Sequence, residues 1–308
     1  MKKTLINIAA CFALGKDARG KFRNALWFGL AKSIRARLAE RRLKFPHKLA
    51  VVAIAKNEAP YFREWIEFHK LVGVEKFYIY DNESTDNTKE VLEPYIKSGL
   101  VEYTFIPGER QQHPAYRDCV AKHKFDTEWL AFIDLDEFLV PQTTSNGGGY
   151  CATIPGYLDS LPRAASMVLA GWVMYGSNGH ETKPEGLVVE NFKTRADSKN
   201  VWLPGDMYKS VAKPRFITDV RNHRQKMFAG KEIAEYFGKI SDWRLRCNHY
   251  HCKSWEEYQK RAPRGAAYRG IASGATKYTR EHFDFSDQND VPDPIMDKYI
   301  PALKAKLS

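Results

Sequence analysis

The sequence predicts an α/β protein with a mainly parallel sheet flanked by helices and an appended antiparallel region. Three observations predict it. Between residues 48 and 141, β-rich apolar runs alternate with segments of helical spacing, a rhythm that needs crossover connections and hence parallel strands. Polar residues follow those runs at their carboxyl ends, where open α/β sheets bind ligands. From about residue 150 the rhythm gives way to shorter strands and loops.

The elements follow in order. Leu49 to Ala55 in "HKLAVVAIAKNEAP" is a first strand, closed by a polar turn holding Asn57 and Glu58. "YFREWIEFHKLVG" places Trp65, Phe68, Leu71 and Val72 at helical spacing and ends at Gly73. Lys76 to Tyr80 is a second strand, followed by Asp81 and Asn82; Thr85 or Asp86 can cap the helix "TKEVLEPYIKSG". "LVEYTFIP" is a third strand, "AYRDCVAKHKF" a helix, and "TEWLAFIDLDEFLV" a fourth strand. "NGGGYCATIPG" lacks the Lys-Ser/Thr of a phosphate-binding loop. Beyond it, "SMVLAGWVMYG", "LVVENFKTR" and "YKSVAKPRFI" read as strands, followed by the His-bearing "RLRCNHYHCKSWEEYQKRAPRG". No internal repeat is present. The organisation expected is a basic segment 1–47, one domain over 48–300 with halves 48–141 and 150–300, and a tail 301–308.

The formal charge of +11 is confined to one end: residues 1–48 hold 13 Lys and Arg against two acidic residues, while residues 49–308 hold 35 of each sign. A nucleic-acid groove needs basic residues on the folded domain, so no nucleic-acid partner is expected. The segment from Phe22 sets Phe22, Leu26, Leu30, Ile34 and Leu38 on one helical face with Arg and Lys around it. Such a helix suits an anionic membrane surface, or equally packs on its own domain with a solvated basic face. Asn7 breaks the short apolar run near the start, which argues against a signal peptide. Five scattered cysteines without a CxxC pair point to a reducing compartment. The expected location is the cytoplasm, with peripheral contact at the inner face of the cell membrane.

The chemistry concentrates at "AFIDLDEFLV". An unpartnered buried carboxylate costs several kcal/mol, so Asp134, Asp136 and Glu137 after an apolar run call for a cation. Oxygen ligands at a strand end suit Mn²⁺ or Mg²⁺ bridging to a phosphate. A lone DxD triplet is common; its place beside Asn57, Glu58, Asp81 and Asn82 at one sheet edge is what makes it a site.

The blocks "AIAKNEAPYFREWIEFHKLVGVEKFYIYDNESTDNT", "DLDEFLV", "YGSNGH", "YKSVAKP", "NHYHCKSWEEY" and "DFSDQNDVPDPIMDKY", in this order, resemble glycosyltransferase family 92, related to the larger family 2. The resemblance runs from about residue 49 to 300. It implies a GT-A fold and metal-dependent, inverting transfer of a sugar from a nucleotide-sugar donor, a UDP-sugar such as UDP-galactose. It implies a carbohydrate or glycolipid acceptor, a surface glycan such as lipopolysaccharide or capsule. By resemblance, Asn57, Glu58, Asp81 and Asn82 surround the nucleoside, Asp134 leans toward ribose and metal, and Asp136 takes the metal. His249 adds a metal ligand and Lys253 meets the diphosphate, with Arg264 and Lys209 as further cations. If the segment is a strand, His251 shares the face of His249 and is the alternative ligand. Glu137 is an orienting group or a helix-start anion. The cysteine and histidine spacing around 247–252 fits no tetrahedral zinc site.

Inversion also needs a base for the acceptor hydroxyl. Glu181 and Asp206 are the candidates, with His180 and His223 behind them; Trp172 and Tyr175 can stack on sugar faces or fill the core. The competing readings are a nucleotidyltransferase acting on sugar phosphates, which shares the sheet and acidic site, and a non-enzymatic basic membrane-binding protein.

Overall fold

The computed structural model describes residues 43–143, 152–197, 207–264 and 277–308, with Ala267, Gly270 and Ala272 between the last two stretches. The basic helix expected near residues 22–38, most of the Gly-rich loop and Asp206 lie outside the described residues. Four strands, β1 (His47–Ala55), β2 (Lys76–Asp81), β3 (Val101–Phe105) and β4 (Thr127–Phe132), alternate with α1 (Ala59–Leu71), α2 (Thr88–Lys97) and α3 (Gln112–His123). β1 shows why the run reads as continuously apolar. Leu49, Val51 and Ala53 pack with Phe62, Trp65 and Phe68 of α1, while Ala50, Val52 and Ile54 pack with Ala115, Tyr116 and Cys119 of α3. A strand covered on both faces buries both sets of its alternating side chains.

The remaining strands extend the same sheet. They are β5 (Glu137–Pro141), β6 (Ala165–Met174), β8 (Tyr208–Ala212), β11 (Lys231–Glu235) and β12 (Leu245–His249). The order is β3-β2-β1-β4-β8-β6-β12-β5, with β11 also on β6. Neighbours among β1 to β4 are parallel. β8 runs antiparallel to β4 and β6, and β5 antiparallel to β12, which supplies the antiparallel pairs expected in the second half. β6 shares one edge between β11, along Ala165–Ala170, and β12, along Trp172–Met174. Gly171 sits at that changeover, where a Cβ would lie 2.7 Å from the Trp243 ring. Small ladders join β7 (Thr194–Arg195) to β13 (Val291–Pro292) and β9 (Ile217–Asp219) to β10 (Lys226–Met227).

Two expectations are corrected. The single strand "TEWLAFIDLDEFLV" is two, because Glu137 N–H donates to Asp134 O at 3.1 Å and closes a turn between β4 and β5. The chain then joins the far side of the sheet order. A flat sheet would need roughly 19 Å for four strand spacings, about the full stretch of five residue steps, so the sheet curls to bring β5 and β12 beneath the end of β4. The second correction is "LVVENFKTR", which forms α5 (Val188–Asn191) before β7. Buried Glu64 of α1 accepts from the N–H groups of Val188 and Val189 at 2.8 and 3.0 Å, and a carboxylate at these orphan donors favours a helical turn over an extended strand. Burial pushes the Glu64 carboxyl up to about 7, although those two N–H bonds pull the other way.

The first two loops are tied together. Asp86 Oδ2 accepts from Ala59 N–H at the start of α1, and its Oδ1 accepts from Thr88 N–H at the start of α2. One carboxylate thus serves two helix starts. Short helices α4 (Ile154–Asp159), α6 (Trp255–Gln259), α7 (Arg280–Ser286) and α8 (Ile300–Leu307) complete the described layers.

Candidate active site

The curl brings the carboxyl ends of β1, β2, β4, β6 and β12 and the amino ends of β5 and β8 to one edge. Asp134, Asp136 and Glu137 offer oxygens within 4.8 Å of one another there. The cation that the sequence calls for is partly built in. Lys209, 1% exposed, enters from β8 and places Nζ 2.6 Å from Asp134 Oδ2 and 3.2 Å from Glu137 Oε2. Burial disfavours its charge, but Asp134 and Glu137 outweigh that and raise its pKa well above the ordinary value. Lys209 therefore stabilises carboxylates, whereas the sequence reading placed it toward a diphosphate.

Glu137 is fully buried. It begins β5 and no helix, and its Oε2 accepts from Asp134 N–H at 2.9 Å, so it orients the turn. Its Oε1 has no partner. Burial first, then the Asp134 and Asp136 charges, push its carboxyl up to about 8 against the pull of Lys209.

Asp136 faces Arg261 and His249. Arg261 Nη1 lies 3.3 Å and His249 Nε2 3.6 Å from its Oδ2. Burial opposes the Asp136 anion, yet His249, Arg261 and Lys253 hold its pKa well below the ordinary range. Arg261, 6% exposed, keeps Nη2 unpartnered. Lys253, 2% exposed, stands 3.6 Å above the Tyr61 ring, a cation-π contact. Tyr61 is fixed in turn by donating its hydroxyl to Glu257 at 2.7 Å. Burial, and next the Arg261 charge, lower the Lys253 pKa. Arg261 and Lys253 are thus buried cations acting on Asp136, and the Glu58 and Glu257 carboxylates also act on Lys253.

His249 ends β12, opposite Glu137 in register, and its Nδ1 is unpartnered. His251 lies just beyond, and one of its ring nitrogens falls within the same 4.8 Å group as a ligand atom each of Asp136 and His249. Burial and the Arg261 charge hold His251 far below its usual pKa, in the neutral form that ligates metals. The residues present thus fit a divalent ion: carboxylate and imidazole donors converge beside an orphaned buried carboxylate oxygen. Cys247 and Cys252 are buried free thiols and join no such group among the described residues.

The other expected residues fall in two places. Asn57 Oδ1 accepts from Thr85 N–H at 2.7 Å; Asp81 accepts from Tyr103 Oη at 2.6 Å and Ser84 N–H at 2.9 Å. Asn82 Nδ2 donates to Ile106 O and Gly108 O, each at 2.8 Å. These residues line the predicted edge and brace its loops. Glu58 stands before α1. Asn57 and Lys253 hold left-handed backbone, φ 56° and 49°, conformations that cost non-glycine residues energy and cluster at functional sites. Glu181 is on the surface, ion-paired with Arg280 at 2.8 Å, and its hydrogen bond to Arg280 lowers its pKa. The structure does not bring it into the carboxylate group. His180 packs on Phe192. The His223 ring lies 5.1 Å from that of Trp172, nearly perpendicular to it, and the His249 ring lies 4.5 Å from Trp172, tilted. Tyr175 is core, 1% exposed.

Sequence reasoning missed Arg261 and Tyr61. Arg261 sits in a basic run after α6 with no spacing signal, and only the fold brings it to Asp136.

The glycosyltransferase family 92 profile matches residues 51–285. The chain belongs to glycosyltransferase family 92. It is 26% identical over 235 residues to glycosyltransferase family 92 protein At1g27200 of Arabidopsis thaliana, covering 74% of this chain and 39% of that protein. It is 25% identical over 222 residues to the galactan beta-1,4-galactosyltransferase GALS2 of the same plant, covering 68% of this chain and 41% of that one. The family 92 chain thus spans about two fifths of the length of these relatives. Among solved structures, S. aureus TarS 1–349 is similar at 14% identity and a TM-score of 0.39, covering 78% of this chain and 72% of TarS.

Proposed function

We propose that this family 92 chain is a metal-dependent glycosyltransferase that moves a sugar from a nucleotide-diphosphate donor to a carbohydrate acceptor. The observation that carries it is the pairing at one sheet edge of a metal-capable group around Asp136 with two buried cations, Lys253 and Arg261. The ion, Mn²⁺ or Mg²⁺, would be held by Asp136 and the neighbouring imidazoles and would supply charge stabilisation for the departing diphosphate. Lys253 and Arg261 bind the same diphosphate from the other side. Asn57, Glu58, Asp81 and Asn82 take the nucleoside, and Asp134, held by Lys209, faces the ribose. Trp172 offers a ring to the acceptor sugar. Asp206 is the carboxylate offered for the acceptor proton in a single inverting displacement, Glu181 being ion-paired with Arg280 on the surface.

The donor proposed is a UDP-sugar, UDP-galactose first, because a relative bears a galactosyltransferase name. The acceptor is a surface glycan such as lipopolysaccharide or capsule, at the inner face of the cell membrane, with residues 1–47 on anionic lipid. Among the described residues no helix is long and apolar enough to cross a membrane.

The test is a screen of UDP-galactose, UDP-glucose and other nucleotide sugars with and without Mn²⁺. Metal-dependent release of UDP is expected; release of pyrophosphate from a nucleotide and a sugar phosphate would establish a nucleotidyltransferase instead.

A further inference from the structure

The loop 221–225, between β9 and β10, stands against the amino end of β8, the strand that sends Lys209 to Asp134. His223 Nδ1 faces Tyr208 O at 3.2 Å. The His223 ring lies 5.1 Å from that of Trp172, which in turn lies 4.5 Å from His249. The loop is therefore two ring contacts away from the end of β12.

This loop is held in one shape. Gln225, 2% exposed, spends its whole amide on it. Its Oε1 accepts from Arg221 N–H at 2.9 Å, and its Nε2 donates to Arg221 O at 2.8 Å and to Ser210 Oγ at 3.2 Å. A buried amide bonded to both backbone groups of one residue and to the strand beneath fixes the loop on β8. The Arg221 and Arg224 side chains are left outside, 47% and 54% exposed.

The charge there is not balanced. Asp219 faces three cations, Arg221 Nη2 at 2.8 Å, Lys226 Nζ at 3.4 Å and Arg117 Nη2 at 3.9 Å. Arg224 Nε pairs with Glu232 at 2.7 Å, and its side chain also bonds Tyr208. These four cations and two carboxylates leave a local charge of +2 on a domain whose residues 49–308 are balanced overall. Exposed ion pairs contribute little, so an incoming anion can compete for them, and the guanidinium fork matches phosphate and carboxylate alike.

We propose that loop 221–225 reads the acceptor, and that the acceptor is an anionic glycan bearing phosphate or carboxylate groups next to the unit that receives the sugar. This rests on the functional reading above and names the substrate class on its acceptor side. Trp172 and His223 border the receiving unit, Arg221 and Arg224 take the charge beyond it, and Gln225 is the positioning residue that holds the loop. The donor cations Lys253 and Arg261 have no part in this contact.

The experiment titrates the full chain, with Mn²⁺ and UDP present, with a neutral galactan, an oligogalacturonate bearing carboxylates and a phosphomannan bearing phosphates. One anionic sugar is expected to bind at least about 10-fold tighter than the galactan, the gain of one charge-assisted contact, and which one it is tells carboxylate from phosphate. The double variant Arg221→Gln, Arg224→Gln should lose that preference and keep UDP affinity within about 2-fold. Wild type and variant share residues 1–48, so any sugar held by that basic end is common to both. Failure of both anionic sugars to outbind the galactan, or a preference that the variant retains, overturns the proposal. A loss seen only with anionic vesicles or duplex DNA assigns the loop to lipid or nucleic acid and overturns it too. Anionic-sugar binding that needs the two arginines, in a chain without UDP affinity, would support this site and count against the glycosyltransferase reading alone.

Discussion

Lys209 Nζ lies 2.6 Å from Asp134 Oδ2, with 1% of the lysine side chain and 35% of the aspartate side chain exposed. This pair answers why a chain places carboxylates after an apolar strand: one is neutralised by a strand residue 75 positions away. Replacing Lys209 by Met leaves Asp134 and Glu137 without their cation. Breaking a fully buried pair costs roughly 3–5 kcal/mol; Asp134 is 35% exposed and solvent screens part of its charge, so Lys209→Met should cost roughly 1–3 kcal/mol and lower the urea midpoint. A loss below about 1 kcal/mol would show that the pair is solvated in solution.

Arg261 should act on the donor. Its Nη1 rests against Asp136 and its Nη2 is unpartnered. A hydrogen bond to a charged group contributes about 1.5–3 kcal/mol, so Arg261→Ala should weaken UDP binding by roughly 10- to 100-fold. The acceptor KM should change little. An acceptor defect with normal UDP affinity would move Arg261 out of the diphosphate site.

His69 gives a pH prediction away from the site. It is fully buried, its Nδ1 facing Trp65 O at 2.8 Å and its Nε2 accepting from Leu139 N–H at 3.3 Å, so it links α1 to the free edge of β5. Burial lowers its pKa from 6.5 to about 3, against the Trp65 bond. A depressed base is protonated first in the unfolded chain, so its contribution is complete above pH 6.5 and is lost as pH falls toward 3. Over that window it adds a slope of about 1.4 kcal/mol per pH unit. His69→Gln should remove one proton's worth of slope from urea stability curves; an unchanged slope would contradict the buried neutral imidazole.

The charge asymmetry predicts that deleting residues 1–44 reduces binding to vesicles containing anionic lipid and leaves neutral vesicles unaffected. Equal partitioning of the full and shortened chains would remove the membrane role.

The alternating first half was legible because β1, β2 and β4 are buried along most of their length and α1 carries its own spacing; β3 is only partly buried. The break at Asp134 was not, because Phe138, Leu139 and Val140 continue the apolar run, and the partner that turns them into a separate strand, β12, lies about 100 residues further on. Val188 and Val189 read as a strand by β-branching, and the helix there is imposed by Glu64 from another element. At the site, Asp136 and His249 were visible as residue types at strand ends. Lys209 was visible as a cation but its target was not, since "YKSVA" does not say which carboxylate lies across the sheet.

The most direct test is a crystal soaked with Mn²⁺ and UDP. An ion on Asp136 is expected, with a diphosphate lying between that ion and the Lys253 and Arg261 side chains. Nucleotide bound elsewhere, with Asp136 still facing only Arg261 and His249, would contradict it.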